Sequence, residues 1–344
     1  MKEVVVRDRK IGDAYLPYFV AELGVCHEGD VELAKKIAVA AKEAGADCIK
    51  TETFQKENIV FDRSMTSSYS SQGEHFTESL WEHMKKCQLS FSEHAEIKKL
   101  SDELGLPFMS TAHDFEAVDF LVDIGAEAIK ISSADIIHYP LIRYAAKTGL
   151  VLFIDTGGAQ EHEILRCQKE AVEAGVKGVI YNHHPGGHPA PADKYDLRVI
   201  QRMKNLVEVP IGTADHYEGY EMVYAAVAVG ANVIEKPVSM DRFKKAQEFS
   251  WSVSIGDLPE VVSKMNCVYK SLGVFRRENI KESVNRVCVV AKRDLKVGDE
   301  VCLENVIFGR PNNQGISVRD WDLVEGKRLS VARKKGQFIR WEDV

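Results

Sequence analysis

The chain lacks most of the features that announce a function. None of its 344 residues belong to an apolar run long enough to span a bilayer, and the start does not resemble a secretory signal peptide. Both absences point to a cytoplasmic protein without a membrane role. Its seven cysteines are odd in number, scattered and without a CxxC pair. They read as reduced, mostly buried thiols rather than a disulfide framework. Lys and Arg total 45 against 52 Asp and Glu, a formal net charge of −7, and no basic stripe stands out. That argues against nucleic acid as a partner. GxGxxG, Walker and GxSxG motifs are missing as well. Dinucleotide, nucleotide-triphosphatase and serine-hydrolase readings therefore have no support.

What the chain does have is a repeat. Residues 42–50, 122–130, 172–180 and 228–236 each read as a helix end, a glycine and a short strand. Gly45, Gly125, Gly175 and Gly230 suit a left-handed helix cap, which other residues adopt only at a Cβ penalty. Three of these strands end in lysine: Lys50, Lys130 and Lys236. Counting the intervening segments predicts eight strands, at 18–23, 48–51, 107–111, 128–132, 150–155, 178–182, 209–213 and 232–236. Helical patterns such as 33–44 and 116–124 separate them. Strand and helix in alternation predict a parallel sheet, and eight units predict a (β/α)8 TIM barrel with its active site at the carboxyl ends of the strands. The polar stretch 64–73 reads as a functional loop. Beyond the barrel domain, 1–274, a charged linker at 275–283 leads to a small β-rich domain at 284–344.

The strand ends carry a set of phrases: Ala21-Glu22-Leu23-Gly24, His27-Glu28-Gly29-Asp30, Ser110-Thr111, Lys130-Ile131-Ser132-Ser133-Ala134-Asp135, Asp155-Thr156-Gly157, Asp215-His216 and Val233-Ile234-Glu235-Lys236. In this order they resemble the N-acetylneuraminate (sialic acid) synthase family. The tail, with Arg310-Pro311 and Gly315-Ile316-Ser317, resembles that family's antifreeze-like (β-clip) domain. The resemblance implies condensation of phosphoenolpyruvate with an N-acylated open-chain sugar aldehyde, with release of phosphate and help from a divalent metal. It also implies a homodimer in which each tail domain closes the partner's barrel.

It assigns residues too. Glu22, Lys50 and Lys130 would be catalytic: Glu22 moves a proton, and the lysines hold an anionic carboxylate or phosphate. Buried structural ion pairs are the competing reading for all three. Thr111 and Ser133 would bind phosphate, or else cap the next helix. Asp135, Lys236 and Arg310 would bind substrate, Arg310 through the sugar's acetamido group. His216 would ligate the metal, manganese or zinc.

This chain also departs from the pattern. Pro237 stands where a second metal-binding histidine is expected. Asp155 and Ala214 replace two phosphate-binding serines, and His188 replaces a tyrosine. The family's glutamine after the second strand is Glu52, and an aspartate near the end of the barrel is Glu248. An ionised Asp155 facing a phosphate about 4 Å away would cost roughly 4 kcal/mol at an effective dielectric near 20. That is about three orders of magnitude in affinity. Either Asp155 pairs with a lysine or the ligand has no phosphate there. His183, His184 and His188 at the sixth strand could rebuild a metal site with His216, Glu52 and Glu248, and His184 and His188 are the expected partners of His216. A diverged metal-dependent aldolase, lyase or isomerase that does not use phosphoenolpyruvate is the alternative function. A non-catalytic sugar-binding relative is a third.

Overall fold

A computed structural model describes residues 3–273, 286–310 and 315–344. Eight parallel strands close into a barrel: Tyr18–Glu22, Cys48–Thr53, Phe108–Ala112, Ala128–Ile131, Val151–Asp155, Gly178–His183, Ile211–Ala214 and Val233–Ser239. Each pairs with the next, and the eighth returns to the first in the register Val233 to Tyr18 and Pro237 to Glu22. Every expected strand is present, with ends displaced by a residue or a few.

The repeat has a local cause. Gly45, Gly125, Gly175 and Gly230 all have positive φ, between 74° and 100°, so each turns its helix into the next strand. In three of the four, the polar residue two positions later then ties down a neighbouring strand. Asp47 accepts from the Phe19 N–H at 2.8 Å, Glu127 from the Phe108 N–H at 2.9 Å, and Asn232 from the Ile211 N–H at 3.1 Å.

Alternation along the strands sorts side chains into two cores. Phe19, Ala21, Ile49, Phe108, Ile129, Leu152 and Ile154 face outward and pack under the helices. Tyr18, Val20, Cys48, Met109, Ala128, Val151, Phe153, Ile180 and Val233 point into the barrel. A hairpin missing from the sequence reading, Glu3–Val6 with Arg9–Gly12, adds Val4, Val6 and Ile11 to that inner cluster. It plugs the amino-terminal end of the barrel. Gly178 is needed there, because a Cβ would lie 2.8 Å from Val4 Cγ1.

Residues 64–73 are not an irregular loop. Thr66–Ser71 pairs with Glu74–Ser79 as an antiparallel hairpin. Gln72 and Gly73 both take positive φ, as a tight hairpin turn requires. Gln72 Nε2 donates to the Arg242 carbonyl at 2.8 Å, and the Ser70 N–H donates to the His188 carbonyl at 3.3 Å. The hairpin is thereby tied to two loops at the carboxyl ends of the strands.

The chain divides into two compact units, 1–273 and 274–344. The second has its own core of Val289, Ala291, Leu295, Val301, Val306, Ile316, Val324, Leu329 and Ile339. Among its described residues, Cys288–Ala291 pairs with Val306–Gly309 as an antiparallel ladder. The expected linker at 275–283 lies outside the described residues. No helix among the described residues is long and apolar enough to cross a membrane.

Candidate active site

Seven of the eight strands contribute a polar side chain to the carboxyl end of the barrel, and the alternation fixes which one; the seventh ends in Ala214. Inward positions 22, 50, 52, 111, 130, 155, 182 and 235 carry Glu22, Lys50, Glu52, Thr111, Lys130, Asp155, Asn182 and Glu235. These side chains form one buried network. Lys50 Nζ contacts Glu22 Oε1, Glu235 Oε1 at 3.0 Å and Glu52 Oε1 at 3.1 Å. Lys130 Nζ contacts both Glu235 oxygens at 2.6 and 2.5 Å, and Asp155 Oδ1 at 2.9 Å. Asn182 Nδ2 donates to Glu235 Oε2 at 3.1 Å. The expected trio of Glu22, Lys50 and Lys130 is thus brought together.

Glu235 is the hub that the residue-by-residue reading overlooked. It bridges both lysines from the eighth strand. Its signal was available: a carboxylate one residue before Lys236, on the inward register of a strand.

The carboxylates differ in acidity because they share two lysines. Burial pushes Glu22 up to about 7, despite Lys50. Burial also lifts Asp155 to about 6, against the pull of Lys130. Burial and then the charge of Glu22 raise Glu248 to about 8, although it accepts from the Val25 N–H at 2.9 Å. Burial opposes ionisation of Glu235 as well, yet Lys130 and Lys50 outweigh it and hold this group near 2. Glu52 is likewise held low by Lys50 and His113 against its burial. His113 is buried too, but Asp135 and Glu52 raise it to about 9. A carboxyl titrating near 7 is suited to passing protons at neutral pH.

Thr111 Oγ1 donates to Glu52 Oε1 at 2.9 Å, which puts it at the network's edge. Ser133 Oγ accepts from the Gly157 N–H at 3.0 Å. Asp135 accepts from Ser132 Oγ at 2.7 Å and lies 3.1 Å from His113 Nδ1.

Lys236 goes elsewhere. It follows the inward-facing Glu235, so it points to the outer side of the strand and is fully buried. Its Nζ donates to Asp215 Oδ2 and to the Tyr217 carbonyl, both at 2.9 Å. Tyr195 OH donates to the other Asp215 oxygen. Lys236, expected to touch substrate, thus stands apart from the network around Glu235, with its charge paired to Asp215. Arg310 belongs to the second unit and is exposed.

A histidine cluster adjoins the mouth. His184, His188 and His216 present ring nitrogens all within 4.8 Å of one another. Their ring centroids are 4.5, 4.9 and 6.0 Å apart. Burial pushes His184 down to about 4 and holds His216 well below the usual imidazole range. Burial and then His184 lower His188. Neutral imidazoles keep a lone pair for a metal. His216 Nδ1 is buried without a hydrogen-bond partner, which suits a ligand atom. The donor set therefore fits a divalent ion. His183 does not join. It has the opposite parity, is buried, and its Nε2 lies 2.6 Å from the Tyr195 carbonyl. Glu52 pairs with Lys50 and Glu248 accepts from the Val25 N–H, and neither is among the cluster's donors.

A model of the NeuB family matches residues 37–277, and a SAF domain model matches 286–344. The N,N'-diacetyllegionaminic acid synthase of Legionella pneumophila is 28% identical, over 97% of this chain and 96% of its own length. The N-acetylneuraminate-9-phosphate synthase of Homo sapiens is 29% identical, over 97% of this chain and 94% of its own length. Among solved structures, the sialic acid synthetase of Leptospira borgpetersenii, in complex with citrate, superposes with a TM-score of 0.72 at 27% identity. That match covers 80% of this chain and 92% of the other.

Proposed function

The chain belongs to the NeuB family, and from that premise we propose that it joins phosphoenolpyruvate to an N-acylated sugar aldehyde to give a nonulosonic, sialic-type acid. One observation supports this most directly: Glu22, Lys50, Lys130 and Glu235 form a single buried network at the carboxyl end of a TIM barrel. A new bond joins the donor's methylene carbon to the aldehyde carbon. The aldehyde oxygen takes up a proton, and water replaces phosphate at the former enol carbon. Glu22, with a carboxyl near pKa 7, moves a proton in this sequence. Lys50 and Lys130 hold the donor's anionic groups, with Thr111 and Ser133 at the phosphate. Asp135 and Arg310 orient the sugar, Arg310 through its acetamido group.

His184, His188 and His216 would hold a divalent ion, manganese or zinc. When bound, such an ion polarises the aldehyde oxygen as a Lewis acid. The active form is a homodimer with exchanged tail domains, working in the cytoplasm. Light scattering tests the dimer, and a monomer at micromolar concentration refutes it. The reaction is tested with phosphoenolpyruvate and N-acylated aldoses, with and without a terminal phosphate. Phosphate release matched by a 2-keto acid of the summed mass is expected. No product with any aldose would overturn the assignment.

One contact favours a second reading. Asp155 lies 2.9 Å from Lys130 Nζ, where a phosphate would need that lysine. Such a mouth suits a donor without phosphate, as in a metal-dependent aldolase, lyase or isomerase. Asp155→Ser separates the two. Tighter phosphoenolpyruvate binding in the variant means that Asp155 screens out phosphate. Tight binding in the natural protein, unchanged in the variant, removes the second reading.

A further inference from the structure

We propose that His184, His188 and His216 form an all-imidazole site that selects zinc or cobalt(II) over magnesium and manganese(II). This rests on the reading of the cluster as the seat of the divalent ion, and deepens it by naming the class of ion and the origin of its ligands.

The donor set carries the argument. Among the described residues, the atoms within 4.8 Å of one another comprise three imidazoles and no carboxylate. Magnesium prefers oxygen ligands in octahedral geometry, and carboxylate, carbonyl and water suit manganese. Imidazole suits zinc and the later first-row ions. Bonds of 2.0–2.1 Å in a tetrahedral zinc site put ligand nitrogens about 3.4 Å apart. The three ring nitrogens already lie within 4.8 Å of one another. Three protein ligands leave one position open, as catalytic zinc sites do.

The surroundings shape the cluster. The Trp251 ring lies 5.9 Å from both His188 and His216 and walls one side. A Cβ on Gly157 would come within 2.9 Å of His184 Nδ1 and 2.7 Å of Ser133 Oγ, so only glycine leaves His184 its place. Pro237 stands on the inward register of the eighth strand, opposite Glu22, and has no side-chain donor. The ligands come instead from the sixth and seventh strand ends. His188 is supplied by a loop whose Ala190 N–H donates to the His216 carbonyl at 2.9 Å. That bond couples the two ligand-bearing segments through their backbones.

The test uses the full-length protein stripped of metal and titrated calorimetrically with zinc, cobalt, manganese and magnesium chlorides. Zinc and cobalt should bind about two orders of magnitude more tightly than manganese. Cobalt should give the intense visible bands of a four- or five-coordinate ion. His188 is exposed, so His188→Ala should keep its far-ultraviolet circular dichroism. It should weaken zinc binding at least about tenfold, since even outer-shell partners are worth that much. His162→Ala, on an exposed helix position, should change nothing. Equal affinity for manganese and zinc overturns the proposal, as does zinc affinity indifferent to His188→Ala. Manganese preference with phosphoenolpyruvate-dependent product would sink this inference and leave the synthase reading standing. Zinc selectivity without product from any aldose would do the reverse.

Discussion

Lys130 and Lys236 end two copies of the same sequence repeat, yet one step of register gives them opposite fates. Lys130 points into the barrel and meets Glu235 and Asp155; Lys236 points outward and meets Asp215. Removing Lys236 leaves Asp215 buried without its cation. Lys236→Met should therefore cost about 3–5 kcal/mol of stability, read by denaturant unfolding, with little effect on kcat of the folded fraction. Glu22→Gln should behave in the opposite way. It keeps size and hydrogen bonding but cannot pass a proton, so kcat should fall by about two or more orders of magnitude with the fold intact. The same carboxylates make stability depend on pH. Glu22, Glu248 and His113 all have folded pKa values above their ordinary ones, at about 7, 8 and 9. Each binds its proton more tightly when folded. Each contribution is thus complete below the unfolded pKa and is lost as pH rises through the folded one. The melting temperature of metal-free protein should fall between pH 7 and pH 9. Glu248→Gln, which keeps a neutral group facing Glu22 and the Val25 N–H, should flatten part of that slope. An unchanged slope would mean that Glu248 is not raised.

At the scale of the element, the unit is a helix, a left-handed glycine and a strand, and in three copies the polar residue just before the strand ties down a neighbour. A Cβ at Gly125 would meet nothing within 4 Å, so Gly125→Ala tests the backbone alone. At φ 74° the cost should be about 1–2 kcal/mol. Gly178→Ala tests packing instead, because Val4 Cγ1 lies 2.8 Å from the added carbon. Overpacking should cost about 1–3 kcal/mol. Val4→Ala in the same chain should recover part of it, which a thermal melt of the double variant would show. The two hairpins escaped the sequence reading for different reasons. Glu3–Val6 alternates exposed and buried residues, but four residues are too few for a firm pattern. Thr66–Ser71 is rich in serine, which favours turns, and its pairing comes from Gln72-Gly73 and cross-strand contacts such as Tyr69 stacked on Phe76 at 5.3 Å.

At the scale of the molecule, the two units have separate cores, and none of the residues of one core belongs to the other. A chain ending at Gly273 should keep the barrel's helical circular dichroism and a cooperative melt. If Arg310 orients the sugar, that truncated chain should lose turnover mainly through a higher KM for the aldose. Full activity would remove both Arg310 and the exchanged tail from the mechanism.

The barrel was legible along the chain. Glycine at four helix ends, strands of the right length and a lysine or glutamate at their carboxyl ends are local features, and local stereochemistry decides them. It also placed Glu22, Lys50 and Lys130 at one end of the molecule, because parallel strands all point the same way. What those charges meet depends on the closed fold. Asp155 could have faced a ligand or a lysine, and closure of the fourth strand against the fifth set it beside Lys130. Glu235 became the hub because the eighth strand returns to the first and brings its carboxylate between Lys50 and Lys130. Of the histidines at 183, 184, 188 and 216, parity turned His183 outward, and the fold of the sixth-strand loop brought His188 to the other two. Strand periodicity can be read along a chain; the partner of a buried charge depends on which strands become neighbours, and that is a property of the closed barrel.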